Sequence, residues 1–289
     1  MPSLTTSTRP GPRIMAVPVL GAVLAVGLLA GCTAGGGPAT PGQASPAGTS
    51  TGAGSGIGTA GPAAAVQREF VSVIRRVMPS VVEIRTNEGL GSGVVLDSDG
   101  DIVTNAHVIA GASSFQVLST QATGSAAVSA APLPAVLIGS CPGADLAVVK
   151  VSADAGLRPA TFGDLKSVAV GDLVLAIGSP LGLGGSVTEG IVSAVGRSVA
   201  EPANAGAAAA VLADAIQTSA AINPGNSGGA LVSIDGAVIG IPTLAAVNRG
   251  GAAPGIGFAI PASDAVSIGE QLTSATRANR GTALNGCRR

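Results

Sequence analysis

In Asn223-Pro224-Gly225-Asn226-Ser227-Gly228-Gly229-Ala230-Leu231, a single serine stands among glycines directly before an apolar run. A serine hydroxyl becomes a nucleophile only when a base takes its proton, and the oxyanion formed by its attack needs N–H donors nearby. Glycine at positions 225 and 228 permits the tight backbone that points such N–H groups inward. The stretch therefore predicts an activated serine, with a Gly-rich turn as the alternative in a chain of 44 glycines.

The chain contains one histidine, which stands well upstream of this serine. His107 lies in Thr104-Asn105-Ala106-His107-Val108-Ile109, a short polar break between apolar runs, directly after a predicted hairpin. Imidazole is the side chain able to take a hydroxyl proton near neutral pH. His107 is therefore the predicted base for Ser227.

The order of these residues along the chain selects among the folds that use a serine nucleophile. Gly225-x-Ser227-x-Gly229 matches the nucleophile elbow of α/β-hydrolases, but that fold needs a histidine after the serine, and none follows. A subtilisin-like order needs an earlier acid on a separate strand, whereas Asp97, Asp99 and Asp101 belong to one turn. The remaining order is histidine, aspartate, serine, as in two-barrel trypsin-like enzymes.

The acid is then expected between His107 and Ser227. Asp145 opens a strongly apolar run, so its carboxylate can be desolvated against the imidazole, fix the imidazole tautomer and stabilise the imidazolium. Spacing alone also permits a strand-capping role for Asp145. The other aspartates in this interval open no such run, and they are Asp154, Asp164, Asp172 and Asp214. We therefore choose Asp145.

Three ordered blocks of the sequence resemble the signature blocks of HtrA/Deg-type trypsin-like serine proteases. These blocks span residues 104–108, 144–151 and 217–229, and residues 257–261 are similar to the family's closing strand. By this resemblance His107 is the general base and Asp145 orients it. Ser227 attacks, and the N–H groups of Gly225 and Ser227 form the oxyanion hole.

The resemblance also implies substrates and partners. The substrates are peptides or unfolded proteins, and no cofactor or metal is implied. Many relatives form trimers, so a homotrimer is the implied assembly. In trypsin-like folds the floor of the specificity pocket lies about six residues before the serine, at Ala221. An uncharged floor there predicts a small aliphatic residue on the acyl side of the cut.

Two departures from the family pattern qualify the resemblance. Ser219 stands where the family usually has an aspartate in its Gln-Thr-Asp-Ala-Ala-Ile-Asn block, so one carboxylate near the site is missing. The sequence ends at Arg289, soon after the closing strand, so we expect no PDZ domain. The alternative function is therefore a catalytically weak or inactive protease-like protein that binds peptides or partner proteins. Esterase activity of the same triad is a third hypothesis.

The N-terminus predicts a targeting segment. Arg9 and Arg13 precede an apolar run that is short for a membrane span, and Leu29-Ala30-Gly31-Cys32 closes it. This closure resembles a bacterial lipobox, which predicts a signal peptide over residues 1–31 and diacylation of Cys32. An ordinary secretory peptide or a membrane anchor is the alternative. Residues 32–65 are uncharged and rich in small residues, so they predict a flexible tether from the cell membrane's outer face.

Composition and strand spacing predict the fold class. The chain has no Trp or Tyr and only four Phe, so its core must use aliphatic side chains, which favour β structure when branched. Short apolar runs divided by Gly and Pro predict an all-β sandwich or barrel. About 220 residues from Val66 onward suffice for two six-stranded antiparallel barrels, the fold class that the trypsin-like residue order implies, with a helix at each end. The predicted segments are a helix and first barrel over 66–158, a second barrel over 159–261, and a helix and tail over 262–289.

Charge and cysteine content set further limits. A net charge of −1 leaves no electrostatic footprint for nucleic acid. The acids at 97, 99 and 101 do not fit the spacing of an EF-hand loop, so a hairpin turn is predicted there rather than a calcium site. Outside the cytoplasm an even pair of cysteines is usually bridged, which predicts a disulfide between Cys141 and Cys287.

Overall fold

The computed structural model describes residues 61–119, 131–179, 185–201, 210–248, 251–278 and 287. The predicted signal peptide, the lipobox at Cys32 and most of the tether lie outside these residues. Within the described part of the chain, no helix is both long enough and apolar enough to cross a membrane.

Two closed rings of six antiparallel strands follow one another along the chain, in the orders β1-β2-β3-β6-β5-β4 and β10-β11-β12-β9-β8-β7. The first ring contains β1 Val81–Thr86, β2 Leu90–Val95, β3 Asp101–Thr104, β4 Phe115–Ser119, β5 Leu133–Cys141 and β6 Leu146–Lys150. The second contains β7 Leu173–Gly178, β8 Ser186–Glu201, β9 Ala210–Thr218, β10 Ala230–Ser233, β11 Val238–Asn248 and β12 Gly251–Pro261. The predicted all-β fold of two six-stranded barrels is confirmed.

Helices flank the barrels at both ends, as predicted. The helix α1 spans Pro62–Val77, the single-turn α2 spans Ala106–Ile109, and α3 spans Ala262–Arg277. Helix α1 begins four residues before the predicted boundary at Val66, because a proline suits the first helical turn and the alanines after it are strong helix formers. Helical spacing predicts α3 over residues 262–278 with Ala265, Ile268 and Leu272 on one face, and these three residues are buried.

Two Asp-Gly turns form hairpins with the same role in each barrel. Gly100 and Gly236 have φ of +86° and +83°, which closes the turns between β2 and β3 and between β10 and β11. The Asp97 carboxylate accepts the backbone N–H groups of Asp99 and Asp101, so the acidic cluster caps its own turn. The first hairpin leads into α2, and the second follows the turn at Ser227.

The strand β9 and much of β8 differ from the sequence-based prediction. Short apolar runs predict a strand only over residues 187–195 in this region, yet β8 runs to Glu201 and pairs with β9. Gly196 in β8 and Asp214 in β9 have φ of +70° and +55°, and glycine and aspartate are depleted in strands. Pairing with neighbouring strands in a closed barrel therefore outweighs weak local propensity here.

Asp101 is a buried carboxylate at the start of β3. Its Oδ1 accepts a hydrogen bond from Lys150 Nζ at 2.8 Å, and its Oδ2 lies 3.8 Å from Arg277 Nη2. Burial raises the pKa of this carboxyl above its usual value, an effect that outweighs the lowering by Lys150. The folded protein therefore holds the Asp101 proton more tightly than the unfolded chain does.

The raised pKa of Asp101 predicts how stability depends on pH. Its contribution to the free energy of unfolding is full below the unfolded pKa of about 3.9 and is lost as pH rises through the folded pKa. Relative to Asp101→Asn, the native protein should therefore lose stability as pH rises from about 4 toward neutrality. Urea unfolding of both proteins across this range measures the difference. A relative stability that increases with pH would mean that Lys150 and not burial dominates.

Candidate active site

Ser227 lies in the turn between β9 and β10. Gly225 and Gly228 have φ of +100° and +80°, a region that glycine enters without a steric penalty. The N–H groups of Asn226, Gly228 and Gly229 donate to backbone carbonyls at 2.9–3.0 Å, and those of Gly225 and Ser227 take no part in these bonds. The N–H groups of Gly225 and Ser227, one on each side of Asn226, are thus not used by the hydrogen bonds that hold the turn.

A buried carboxylate holds the histidine. His107 in α2 follows β3, and Asp145 precedes β6, so the pairing of β3 with β6 brings the two residues together. His107 Nδ1 lies 2.9 Å from Asp145 Oδ2, and the His107 backbone N–H donates to Oδ1 at 3.0 Å. Asp145 is only 3% exposed, so water screens this pair little. With Nδ1 as the donor, Nε2 is left as the acceptor.

The backbone around Asp145 is held in an uncommon conformation. Asp145 has φ 50° and ψ 42°, the left-handed region that few residues other than Gly, Asn and Asp adopt. Its N–H donates to the carbonyl of Pro142 at 3.0 Å, and its carbonyl accepts the side-chain amide of Asn105 at 2.9 Å. These two hydrogen bonds fix the backbone on each side of the Asp145 Cα atom, so the carboxylate is held facing His107.

Thr243 in β11 connects the carboxylate to the serine, and sequence reasoning did not identify it. Its hydroxyl donates to Asp145 Oδ2 at 2.5 Å, and its backbone carbonyl accepts the Ser227 hydroxyl at 3.2 Å. Thr243 is buried, and the hairpin of β10 and β11 returns it to the turn at Ser227. A threonine within a strand carries no separate signal in the sequence, because threonine is common in strands.

His107, Ser227 and Thr243 line one cavity of about 410 Å³. Residues 222–225, from the turn before Ser227, and residues 88–90, at the junction of β1 and β2, also line it. The His107 side chain is 20% exposed, so a ligand can reach it. A concave site with a few convergent polar groups is the usual form of a ligand site, and this one lies between the two barrels.

Ala221, the predicted specificity position, is exposed and lies outside the cavity lining. Its neighbour Ile222 is 8% exposed and lines the cavity. The Ala221 carbonyl accepts hydrogen bonds from Thr188 and Asn226, which fixes this peptide at the edge of β8.

Ser219 lies outside the cavity lining. Its hydroxyl accepts the backbone N–H of Ile191 at 3.0 Å, and its own N–H donates to the Ile191 carbonyl at 3.1 Å. The Ser219 hydroxyl thus serves as the hydrogen-bond acceptor for the backbone N–H of Ile191 in β8.

Comparison with known proteins places this site in a family. The chain matches the trypsin-like peptidase domain over residues 91–241. The serine protease PepD of Mycobacterium tuberculosis is 42% identical over 221 residues, covering 72% of this chain and 47% of the relative. The serine protease Do-like HtrA of Bacillus subtilis is 42% identical over 194 residues, covering 65% and 40%. The chain thus spans about half or less of the length of these relatives.

Solved structures give the same result. The HtrA-type protease AlgW with tripeptide has a TM-score of 0.59 and 38% identity, and the match covers 71% of this chain and 63% of that chain. A serine endoprotease from Yersinia pestis has a TM-score of 0.57 and 37% identity, covering 71% and 66%. The predicted resemblance is confirmed, and the chain belongs to the trypsin-like peptidase family, with HtrA- and DegP-type serine proteases as its relatives.

Proposed function

We propose that this chain is a serine endopeptidase that cleaves peptide bonds through an acyl-enzyme on Ser227. The observation that carries the proposal is the buried Asp145 carboxylate, which holds the imidazole of His107 in the cavity that Ser227 lines. The serine proteases to which the chain is similar support it.

The proposed reaction uses each of these groups in turn. Nε2 of His107 takes the hydroxyl proton while Ser227 Oγ attacks the substrate carbonyl. The resulting oxyanion accepts hydrogen bonds from the backbone N–H groups of Gly225 and Ser227. His107 then gives its proton to the leaving amine as the C–N bond breaks. Water releases the acyl group by the same route.

One movement precedes this attack. The Ser227 hydroxyl donates to the carbonyl of Thr243 in the free protein, so it must turn toward His107 when substrate binds. Rotation of one side-chain bond suffices, and catalytic hydrogen bonds in other free enzymes also align only in the substrate complex.

Peptides and unfolded proteins are the proposed substrates. Ile222 contributes an apolar surface beside Ser227, which supports a small aliphatic residue on the acyl side of the cut. Trimer formation, which the family resemblance implies, is proposed as the assembly.

Covalent labelling tests the proposed function. A fluorophosphonate phosphorylates a serine that a neighbouring base activates, so the protein should be labelled at neutral pH and the label should map to Ser227. Prior incubation with a peptide aldehyde should block the labelling. A folded protein that is not labelled would favour the alternative of a protease-like binding protein, and labelling with turnover of esters but not of peptides would favour an esterase.

We propose that Cys32 is diacylated and tethers the enzyme to the extracytoplasmic face of the cell membrane. The small residues Ala30 and Gly31 at the end of the apolar run support this. Radiolabelled palmitate should enter the bacterially expressed full chain, and Cys32→Ser should abolish both the label and partition into detergent. A Cys32→Ser protein that still partitions with membranes would contradict the lipid anchor.

We also propose that Cys141 and Cys287 are bridged. Their Cα atoms lie 6.1 Å apart, a distance that a disulfide spans, which supports a bridge from the chain after α3 to the end of β5. Alkylation of the unfolded, unreduced protein should leave both cysteines unmodified in mass mapping. Reduction should lower the free energy of unfolding by about 2–4 kcal/mol, because the bond restricts the unfolded chain. Alkylation of both without reductant would exclude the bridge.

A further inference from the structure

The side chain of Ser92, in β2 of the first barrel, contacts the turn that precedes Ser227. Its side chain is fully buried at the boundary between the barrels. Its Oγ donates to the carbonyl of Gly225 at 2.5 Å and accepts the N–H of Ser179 at 2.8 Å, and both partners belong to the second barrel. A buried hydroxyl that both donates and accepts is fixed in one orientation.

The backbone of Ser92 contacts the same turn. Its N–H donates to the carbonyl of Ser227 at 2.9 Å, and its carbonyl accepts the hydroxyl of Thr104 at 2.7 Å. A side chain at Gly228 would overlap the Ser92 carbonyl oxygen, so the two segments lie in direct contact. The turn is thus held at both Gly225 and Ser227 by one residue of the other barrel.

A chain of polar contacts supports the Ser92 side chain from behind. The hydroxyl of Ser179 donates to Glu83 Oε2 at 3.3 Å, and Glu83 Oε1 accepts Arg85 Nε at 2.5 Å. The Glu83 side chain is only 3% exposed, so this network lies in a low-dielectric region where each bond is strong. Ser92 is the member of this network that reaches the turn.

We propose that Ser92 is a positioning residue for the oxyanion hole. The inference rests on the proposed function, in which the N–H groups of Gly225 and Ser227 receive the oxyanion. The Gly225 carbonyl lies between these two groups along the chain, and glycine allows the peptide many orientations. The Ser92 hydroxyl, by holding that carbonyl, removes the unproductive orientations before substrate binds.

The proposal predicts a loss in kcat at nearly constant KM. The hole contacts the oxygen strongly only in the transition state, so its misalignment affects the chemical step more than substrate binding. Removal of one hole donor lowers kcat by about 100-fold to 1,000-fold in other enzymes, and misalignment should cost less. For Ser92→Ala we expect kcat to fall by about 10-fold to 100-fold, with KM within about twofold.

Ser80→Ala is the matched control. Ser80 is also a buried serine of the first-barrel segment, and its hydroxyl donates to the carbonyl of Pro159 at 3.2 Å, away from the catalytic turn. Both variants lose one hydroxyl and one hydrogen bond to a carbonyl, and Ser92→Ala also loses the acceptor of the Ser179 N–H. If Ser92 is only structural, both variants should melt at a lower temperature than the native protein, and both should keep the native kcat per active site.

Inhibitors distinguish positioning from stability. A peptide boronate forms a tetrahedral anion on the serine, and a product peptide does not. Ser92→Ala should therefore lower the affinity for the boronate by about the same factor as it lowers kcat, while the affinity for the product peptide stays constant. The pH dependence of kcat should keep its midpoint, because His107 is untouched. Ser92→Cys, which keeps the shape with a weaker donor, should give an intermediate kcat.

Two results would overturn the proposal. One is a kcat of Ser92→Ala within about twofold of Ser80→Ala, counted per fluorophosphonate-titrated site. The other, if Ser92→Ala does not fold, is a folded Ser92→Cys with the native kcat and boronate affinity. A native protein that no fluorophosphonate labels would instead contradict the proposed function itself, so the two failures are distinct.

Discussion

Replacing Ser227 by alanine is expected to lower kcat for a peptide substrate by about 10⁶-fold, as large an effect as loss of the base His107 would have. Without the hydroxyl no acyl-enzyme can form, and the remaining cavity can only bind substrate beside an ordered water. KM should change little. The residual rate over uncatalysed hydrolysis would come from the N–H groups of Gly225 and Ser227, which the substitution leaves in place.

The fold should survive this substitution. The lost bond is one hydrogen bond from Ser227 to the carbonyl of Thr243, worth about 1 kcal/mol. Ser233→Ala is the matched control, because Ser233 lies at the far end of β10, where its hydroxyl contacts only the hairpin at Ala237. Continuous assays with a fluorogenic peptide should give native kcat for the control. Retention of a tenth of native kcat in Ser227→Ala would end the assignment of Ser227 as nucleophile.

The parts of the fold that the sequence predicts are those encoded locally. The turn at Asp99 and Gly100 joins strands that are neighbours in sequence, so turn chemistry and alternation suffice to predict the hairpin. Helix α3 is likewise predicted within one residue, because apolar residues repeat at helical spacing. Strand β9 was missed because Asp214 interrupts its apolar pattern, and its pairing with β8 and β12 depends on the closure of the second barrel.

The supporting residues of the site escape prediction because each acts over a long sequence separation. Thr243 reaches Asp145 across 98 residues, and Ser92 reaches Gly225 across 133. Neither residue type is unusual in a strand, so only the three-dimensional pairing distinguishes them. Spacing alone could not tell whether Ala221 or Ile222 lines the cavity, because the side-chain direction depends on the turn before Ser227.

Asp145→Asn should lower kcat by about 10⁴-fold while the fold is kept. Asparagine tolerates the left-handed backbone that Asp145 adopts, so the substitution introduces no strain. The amide oxygen can still accept the backbone N–H of His107, which turns the amide nitrogen toward Nδ1 as a donor. Nδ1 then becomes the acceptor and Nε2 carries the proton, so the imidazole cannot take the proton of Ser227.

Asp214→Asn supplies the control for this substitution. Asp214 also has a left-handed backbone, with φ 55°, but it is exposed and lies in β9. Both substitutions therefore remove one negative charge at a left-handed position, and only Asp145→Asn changes a contact with His107. Both variants should stay folded, and Asp214→Asn should keep native kcat and labelling by fluorophosphonate. If Asp145→Asn, folded by circular dichroism, stays within tenfold of Asp214→Asn, then Asp145 only caps β6 and the imidazole needs no carboxylate to act.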